Sequence, residues 1–384
     1  MASLLQNDFY KFSMQMAVLH HFPSTEVEYK FICRTKEADL LPLKAKIERK
    51  IDLLCESRFS KEDLDYLGSV RFLKKDYLNF LEDFTLKRRL VQVYEKNGKL
   101  EISIKGNWVQ TILFEVPILA IVSEVYCGER ITSEHALIEG RRRLQEKIDF
   151  HNKLENPFYF ADFGTRRRFS GAWQDEVVET FKKALPNSFI GTSNVFLAKK
   201  HNLKFIGTQA HEFISAGQGL NRVQLVNSQK FMLERWAEEY RGDLGIALTD
   251  TLGMSAFTRD FDLYLAKLYD GCRHDSGDPF TWGKALIEHY NKLGIDPMTK
   301  SAVFSDNLNF EKAMEINDYF KNKIKVSFGI GTNLTNDVGI KPLSIVIKLV
   351  RVNGNPVAKI SDEPDKVICE DPEFLSYLKS VYGV

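Results

Sequence analysis

The chain has 384 residues, of which 44% are hydrophobic, and its formal net charge is +1. This composition excludes a chain that is disordered as a whole, and the near-zero charge excludes a global field that would recruit nucleic acid or an acidic membrane. The five cysteines are scattered and never form Cys-x-x-Cys, which disfavours a disulfide framework or a zinc site. Asp8 and Lys11 precede any long apolar run, so we expect no secretory signal and a cytoplasmic location.

The first third of the chain mixes helices with short strands. Apolar periodicity predicts helices at residues 8–21, 43–55, 75–84 and 132–154, with a further one after Ser60. Alternation predicts a strand at residues 27–35, and residues 91–94 and 99–104 flank Asn97-Gly98, a strong β-hairpin signal. The most apolar stretch, residues 109–126, is interrupted by two glutamates and a proline, so it predicts buried core rather than a membrane span.

Strand and helix signals alternate from residue 158 onward. Apolar runs that stop at Gly or polar residues predict strands at residues 160–164, 189–194, 205–211, 246–250, 269–275, 303–307 and 326–331. Helical patterns between them cover residues 220–240, 256–269, 282–293 and 309–320. Such alternation implies right-handed crossovers and a parallel sheet. We therefore predict an α/β fold with a closed or nearly closed β/α barrel, and an open sheet is the alternative.

The C-terminal part returns to hairpin signals. Residues 343–352, the turn Asn353-Gly354 and residues 357–360 predict a second β-hairpin. The simplest assembly joins the two ends of the chain in one layer. We therefore predict an α/β domain of residues 1–130 plus 338–384 beside a β/α barrel of residues 131–337 that carries the active site.

The predicted strand ends collect side chains suited to phosphate and ring chemistry. In β/α barrels the active site lies at the C-terminal ends of the strands. Those ends present Asp162, Gly164, Arg166, Thr192, Ser193, Asn194, Thr208, His211, Glu212, Thr249, Asp250, Arg273, Asp275, Ser276, Ser305, Asp306, Asn307, Gly329, Gly331 and Thr332. Arginine, hydroxyl and glycine backbone groups bind phosphate, and carboxylates hold Mg²⁺ or ribose hydroxyls.

Each motif also has a structural interpretation. A lone histidine after a strand often makes only structural hydrogen bonds, and His211 can accept a phosphoryl group only where its other nitrogen is held by an acceptor. Residues 273–279 are typical of a turn with a helix cap as well as of a site. Two glycines before Thr332 indicate either a phosphate loop or a tight strand exit. The arginine triplet 141–143 is expected to be mostly solvated.

Several common nucleotide-binding motifs are absent from the sequence. No Gly-x-x-x-x-Gly-Lys-Ser/Thr occurs, which disfavours a P-loop ATPase. No complete Gly-x-Gly-x-x-Gly follows an early strand, which disfavours a dinucleotide-binding Rossmann unit. The adjacent acidic pair that marks the open-sheet phosphoribosyltransferases is also missing.

Taken in order, the motifs resemble the nicotinate phosphoribosyltransferase family over essentially the whole chain. They are Asn7-Asp8-Phe9-Tyr10-Lys11, Asp162-Phe163-Gly164-Thr165-Arg166-Arg167, Gly191-Thr192-Ser193-Asn194, Gly207-Thr208-Gln209-Ala210-His211-Glu212, Asp275-Ser276-Gly277-Asp278-Pro279, Phe304-Ser305-Asp306-Asn307 and Ser327-Phe328-Gly329-Ile330-Gly331-Thr332. The resemblance implies an irregular seven-stranded β/α barrel with an attached α/β domain. It also implies transfer of a phosphoribosyl group from phosphoribosyl pyrophosphate to nicotinate, coupled to ATP hydrolysis, in a homodimer with shared active sites.

The resemblance also implies roles for individual residues. The catalytic group would be His211, phosphorylated by ATP, with Glu212 and Asp275. The substrate-binding residues would be Tyr10, Phe163, Arg166, Thr192, Ser193, Arg273, Ser305, Asp306, Gly329, Gly331 and Thr332, joined at the phosphates by Arg34 and Lys359. Tyr10, from the partner chain, and Phe163 would sandwich the pyridine ring. Mg²⁺ would be held mainly by substrate phosphates, without direct protein ligation.

Other functions stay open at this point. A phosphoribosyltransferase acting on nicotinamide is disfavoured because related nicotinamide-using enzymes have an acidic residue where this chain has Ser193. One acting on quinolinate would need no phosphorylatable histidine. A catalytically dead barrel that senses a phosphorylated metabolite is disfavoured by intact His211, Arg273 and Asp275. An RNA-binding protein would need a basic excess or a stacking motif.

Overall fold

The computed structural model describes residues 3–363 and 366–384. Their strands are β1 (Glu26–Cys33), β2 (Val91–Lys96), β3 (Lys99–Asn107), β4 (Phe160–Asp162), β5 (Phe189–Thr192), β6 (Ile246–Leu248), β7 (Gly271–His274), β8 (Ser301–Phe304), β9 (Lys325–Ile330), β10 (Ile345–Val352) and β11 (Asn355–Pro356). Their α-helices are α1 (Phe9–His21), α2 (Lys44–Cys55), α3 (Lys61–Gly68), α4 (Lys75–Glu82), α5 (Trp108–Thr111), α6 (Glu115–Gly128), α7 (Ser133–Asn152), α8 (Gly171–Ala184), α9 (Val195–His201), α10 (His211–Ala216), α11 (Ser228–Tyr240), α12 (Met254–Asp260), α13 (Leu263–Leu268), α14 (Pro279–Lys292), α15 (Phe310–Phe320), α16 (Thr332–Thr335) and α17 (Pro372–Tyr382).

The central strands form one parallel sheet with the order β5-β4-β9-β8-β7-β6. A right-handed crossover through a helix is the usual way to join parallel neighbours, and helices do separate these strands in the chain. All the carboxyl ends of a parallel sheet face one edge, so the loops after these strands are brought together. The predicted parallel α/β arrangement is therefore confirmed.

The predicted seventh strand is replaced by an extended connection between the two edge strands. Phe205 makes a single parallel bridge to Thr192 of β5. Farther along, the Thr208 hydroxyl donates to the carbonyl of Ile246 in β6 at 2.8 Å. The segment thus contacts both edges without forming a ladder, because Gly207 has a φ of 135° that breaks a regular strand. Six strands are hydrogen-bonded among the described residues, so the seven-stranded barrel is not confirmed.

The second sheet joins the two ends of the chain. Its order is β11-β10-β1-β3-β2, and β1 pairs antiparallel with both β10 and β3. Both predicted hairpins are confirmed, since Asn97 and Gly98 have φ of 53° and 73°, and Asn353 and Gly354 have 49° and 81°. The second arm of the C-terminal hairpin begins before the predicted residues 357–360. It pairs at β11, and the Val357 amide then donates to the Val350 carbonyl at 3.0 Å before the chain leaves the sheet. The division into two domains stays a prediction.

The apolar stretch after β3 is a core element. Residues Trp108–Gly128 are long and apolar enough to cross a membrane by length and composition, but 89% of an 18-residue apolar stretch within them is buried inside the protein. It runs through α5, a 3-10 turn (Ile112–Phe114) and α6. The predicted buried core is therefore confirmed, and a single cluster of apolar side chains draws members from both sheets.

Two predicted helices have different bounds from those of the structure. The segment predicted at 256–269 divides into α12 and α13, because the Asp262 side chain accepts from the Leu265 backbone and caps a new helix. The segment predicted at 220–240 is helical only from Ser228, after a 3-10 turn at Leu225–Asn227.

Candidate active site

A cavity of about 780 Å³ opens at the carboxyl ends of the parallel strands. It is lined by loops after these strands, by the start of α1 and by the strand and loop around β10. Most of the residues predicted from the sequence line it: Tyr10, Arg34, Phe163, Arg166, Ser193, His211, Glu212, Arg273, Asp275, Ser305, Asp306, Gly331, Thr332 and Lys359. Thr192 and Gly329 do not line it, and their surroundings are described below.

His211 is the first residue of α10 and is held by one nitrogen. Its Nε2 lies 2.7 Å from Oδ1 of Asp250 and 3.7 Å from Oδ2 of Asp275. Burial, assisted by the Lys359 cation, lowers the pKa of His211 to about 4, so the imidazole is neutral at pH 7. Because Asp250 holds the Nε2 proton, Nδ1 carries the lone pair, and among the described residues it makes no hydrogen bond. The structure therefore presents a neutral imidazole with an available nucleophilic nitrogen.

Asp250 is the anchor of this arrangement. Its Oδ2 accepts from Lys359 at 2.7 Å and from the Ser276 hydroxyl at 2.7 Å. Burial opposes ionisation of this carboxyl, but His211 and Lys359 keep its pKa well below the usual value. Ligand atoms of His211, Asp250 and Asp275 lie within 4.8 Å of one another, a spacing that suits a metal. The Lys359 ammonium already supplies positive charge to Asp250, so this cluster is electrostatically compensated without an ion.

Asp275 and Arg273 lie beside His211 at the end of β7. The Ser305 hydroxyl donates to Oδ1 of Asp275 at 2.9 Å, and the Arg273 guanidinium lies 3.8 Å from the same oxygen. Burial alone would raise the pKa of Asp275, but Arg273 and then His211 lower it to about 2. The carboxylate is thus ionised and faces the cavity, where it can accept hydrogen bonds from ligand hydroxyls.

The aromatic part of the cavity depends on a glycine, which has no side chain to occupy the space. A Cβ at Gly329 would lie 2.3 Å from the ring of Phe163, so only glycine leaves room for that ring against β9. Gly329 was predicted to bind phosphate, whereas the structure places it beneath Phe163 and outside the cavity lining. Tyr10 of the same chain lines the cavity too, so one chain supplies both rings. The homodimer with shared active sites stays a prediction.

Thr192 and Ser193 point in different directions from the end of β5. The Thr192 hydroxyl donates to Oδ2 of buried Asp162 at 2.7 Å, which explains why it does not line the cavity. The Ser193 hydroxyl does line it and donates to Oδ1 of Asp8 at 2.7 Å. Burial raises the pKa of Asp8, opposed first by Arg166. A carboxyl therefore reaches this side of the cavity from the N-terminal segment, through the residue before α1.

Glu212 lines the cavity, and one oxygen of its carboxylate is already engaged. Its Oε2 accepts from the buried Lys11 ammonium at 2.6 Å, whereas its buried Oε1 makes no hydrogen bond among the described residues. Lys11 also contacts Oε2 of Glu115 at 2.5 Å, and Arg166 lies 3.5 Å from Oε1 of the same Glu115. Glu212 is thus placed to hold its neighbours in position rather than to touch a ligand.

Lys348 of β10 is a cavity residue that the sequence analysis missed. Among the described residues its ammonium makes no ion pair, although Arg166 and Lys359 lie near it. Burial and the Lys359 charge lower the pKa of Lys348 to about 8. The available signal was a lysine inside the apolar run of residues 345–350 in β10. Together with Arg34 and Arg166 it makes this wall of the cavity suitable for an anion.

The remaining cations are mostly paired. Lys366, a cavity residue that the sequence did not predict, contacts Oδ2 of Asp306 at 2.7 Å. The triplet 141–143 makes ion pairs with Glu139, Glu146, Glu176 and Asp337, so it is compensated on the surface as a solvated helix face would be. In the second triplet, Arg166 and Arg167 line the cavity while Arg168 pairs with Glu124 at 2.8 Å.

Comparisons with known proteins agree along the whole chain. A model described as the nicotinate phosphoribosyltransferase (NAPRTase) family matches residues 158–384, and one described as its N-terminal domain matches residues 5–123. The nicotinate phosphoribosyltransferase of Bordetella petrii is 52% identical over 99% of this chain and 98% of its own, and that of Chromobacterium violaceum is 52% identical over 100% and 97%.

Solved structures give the same result. The crystal structure of nicotinate phosphoribosyltransferase from Vibrio cholerae is similar with a TM-score of 0.95 and 42% identity, covering 100% of this chain and 93% of that one. The crystal structure of the enzyme from Porphyromonas gingivalis has a TM-score of 0.92 and 32% identity, and both chains are covered fully.

Replacing Gly329 by alanine should disturb the packing of the Phe163 ring against β9. The added Cβ would clash with the ring, so we expect a loss of about 1–3 kcal/mol in the free energy of unfolding, measured by urea titration. Gly128→Ala is the control, because Gly128 ends helix α6 and its added Cβ would meet nothing within 4 Å. The Phe163→Ala change should make the Gly329→Ala change nearly neutral. If Gly329→Ala lowers the free energy of unfolding equally in the unmodified protein and in the Phe163→Ala variant, this role for Gly329 is contradicted.

Replacing Lys348 by methionine should weaken anion binding in a pH-dependent way. Lys348 is charged below its pKa of about 8 and neutral above it. Sulfate keeps its charge across this range, so its affinity in the unmodified protein should fall between pH 7 and pH 9 when measured by calorimetry. Lys348→Met should lose about tenfold in affinity at pH 7, as expected for one charged hydrogen bond, and show a flatter profile.

The control for that experiment is Lys30→Met. Lys30 is the register partner of Lys348 on β1, but its ammonium pairs with Glu370. The Lys30→Met change should therefore leave the affinity for sulfate unchanged. Identical pH profiles for Lys348→Met and the unmodified protein would exclude Lys348 as an anion ligand.

Proposed function

This chain belongs to the nicotinate phosphoribosyltransferase family, and from that premise we propose how its cavity carries out the reaction. The family reaction joins nicotinate to the ribosyl carbon of phosphoribosyl pyrophosphate and gives nicotinate mononucleotide. The pyridine nitrogen supplies the lone pair for the new C–N bond, and the C–O bond to pyrophosphate breaks with its electrons on the leaving group. This chemistry serves NAD biosynthesis.

The transfer requires positioning and charge stabilisation more than a general base. The pyridine nitrogen is unprotonated at neutral pH, so no proton has to be removed before attack. The ribosyl carbon becomes oxocarbenium-like as pyrophosphate leaves, and negative charge grows on the leaving group. An ionised Asp275 suits the ribose hydroxyls and the positive ring. The cationic wall of Arg34, Arg166 and Lys348 suits the phosphates, with Mg²⁺ entering as part of the phosphate substrates.

We infer that the pyridine ring binds between Phe163 and Tyr10. Both rings line the cavity, and aromatic faces bind flat rings by offset stacking. Arg273 is the nearby cation for a ring carboxylate. Gly331 and Thr332 would contact the 5′-phosphate. Ser305 and Asp306 would bind the substrate elsewhere, since the Asp306 carboxylate would repel a phosphate. An active site shared between two subunits, and a cytoplasmic location, remain expectations for this chain.

The observation that carries the ATP-coupled part of the proposal is the state of His211. Its Nδ1 lone pair would attack the γ-phosphorus of ATP, forming a P–N bond while the P–O bond to ADP breaks. Asp250 would keep the Nε2 proton and stabilise the charge that develops on the ring, as the acceptor at 2.7 Å allows. A phosphate dianion at this position would be attracted to Lys359, and its hydrolysis would return the imidazole to its starting form.

The direct test of the whole proposal is product analysis. Nicotinate and phosphoribosyl pyrophosphate should give the mononucleotide and pyrophosphate by NMR or mass spectrometry, nicotinamide should give little, and ATP should raise the yield. Absence of mononucleotide from nicotinate under all conditions would exclude the function.

Replacing His211 by alanine should remove ATP stimulation but leave a weak ATP-independent transfer. The residual rate is expected because the ring and phosphate contacts remain. The ratio of initial rates with and without ATP should fall to about one, and the phosphoryl group should vanish from the peptide containing residue 211. His289→Ala is a matched control, since His289 bonds the Phe261 carbonyl and does not line the cavity. Equal ATP stimulation in His211→Ala would remove His211 from this role.

Replacing Ser193 by aspartate should sharply weaken the use of nicotinate. A second carboxylate would face both the substrate carboxylate and Asp8, which already lies 2.7 Å from the Ser193 hydroxyl. We expect a rise of at least tenfold in KM for nicotinate, on the scale of about 1.4 kcal/mol. An asparagine side chain has the same size as aspartate without the charge, so Ser193→Asn should raise the KM for nicotinate much less. Unchanged nicotinate kinetics in Ser193→Asp would show that discrimination lies elsewhere.

A further inference from the structure

Lys11 has no role in the function proposed above, yet it is one of the most buried charged residues of the protein. Its side chain is fully buried on the first turn of α1. Its ammonium lies 2.5 Å from Oε2 of Glu115 at the start of α6 and 2.6 Å from Oε2 of Glu212 in α10. Because a buried charge is costly unless it is paired, this cation needs both carboxylates.

The ion pairs continue on both sides of Lys11 toward the cavity. On one side, the other oxygen of Glu115 lies 3.5 Å from Arg166, which lines the cavity. On the other side, Glu212 directly follows His211 in α10. Two cations and two carboxylates therefore alternate from Arg166 to Glu212, and their formal charges cancel.

We propose that Lys11 is a positioning residue for the reaction, which fixes Arg166 and the His211-bearing helix relative to each other through Glu115 and Glu212. This inference rests on the proposed function. The Glu115 carboxylate is shared between Lys11 and Arg166, so Lys11 limits how strongly Glu115 holds Arg166. The Arg166 guanidinium thus keeps donors for a substrate phosphate.

Removal of the Lys11 charge has a defined electrostatic consequence. Two buried carboxylates would face each other without their shared cation, and Arg166 would become the remaining cation of Glu115. Burial already raises the pKa of Glu212, so Glu212 is the group that would take up a proton. The charged or titratable groups that act on this cluster are Asp8, Tyr10, Tyr29, Glu115, Arg166, Arg167, Glu212, Asp275 and Lys348.

The test compares Lys11→Met with the unmodified enzyme between pH 6 and pH 9. We expect KM for phosphoribosyl pyrophosphate to rise at least tenfold at pH 8, with a smaller change in kcat. The defect should diminish toward pH 6, because protonation of Glu212 relieves the repulsion. A Lys11→Met/Glu212→Gln double variant restores the charge balance but still lacks the ion pairs of Lys11. Its KM at pH 8 should therefore stay above that of the unmodified enzyme, close to that of Lys11→Met at pH 6, and should lose the extra pH dependence.

The matched control is Lys199→Met, which also removes a lysine from a buried carboxylate. Lys199 contacts Oδ1 of Asp63 at 2.8 Å and does not line the cavity. It should change thermal stability without changing KM or the pH profile. If Lys11→Met does not fold, the double variant carries the test, and a KM at pH 8 equal to that of the unmodified enzyme in that charge-balanced protein would overturn the proposal.

The outcomes separate this proposal from the function itself. Turnover of nicotinate by the unmodified enzyme tests the function. Given that turnover, a Lys11→Met enzyme with unchanged KM, or with a raised KM that is the same at pH 6 and pH 8, would overturn the positioning role of Lys11.

Discussion

The carboxylate of Asp250 is the contact on which the site depends. It binds His211 with one oxygen and Lys359 with the other, and these residues arrive from opposite parts of the architecture. His211 begins a helix that follows the parallel sheet's extended edge connection, whereas Lys359 follows the antiparallel hairpin of the second sheet. The charge therefore fixes the histidine's orientation and at the same time ties the C-terminal segment to the strand ends. Without an ionised Asp250, neither the proton on Nε2 nor the lone pair on Nδ1 would be defined.

The electrostatics of the cavity divide its cations into two groups. Lys359 and Lys366 are paired with carboxylates, as is Lys11 outside the cavity lining. Lys348 is unpaired among the described residues, and its lowered pKa shows that the protein has not compensated its charge. A cation left in this condition is stabilised by an anionic ligand. The cavity is thus built to be completed by phosphate groups.

The sequence was most informative where a residue type has one dominant local effect. Asn97-Gly98 and Asn353-Gly354 predicted both hairpins because these residues adopt positive φ at little cost. Abrupt polar stops after apolar runs located most of the proposed catalytic and substrate-binding residues that line the cavity. The seventh strand was not predictable as a connection, since only the three-dimensional path shows that Phe205 and Thr208 contact different edges. Thr192, Gly329 and Lys11 likewise depend on long-range neighbours: Asp162, the Phe163 ring and the pair Glu115 and Glu212.

The pairing of β1 with β10 has a consequence for how the protein is made. Val27 lies opposite Val352. Strand β1 is therefore synthesised early, whereas its partner β10 leaves the ribosome among the last segments. Until then β1 can pair only with β3, and one of its edges is exposed to other chains. Lys359 emerges later still. A nascent or C-terminally truncated chain would therefore hold a partly formed sheet and an untethered histidine, which makes synthesis of the final segment the event that commits the chain to its active form.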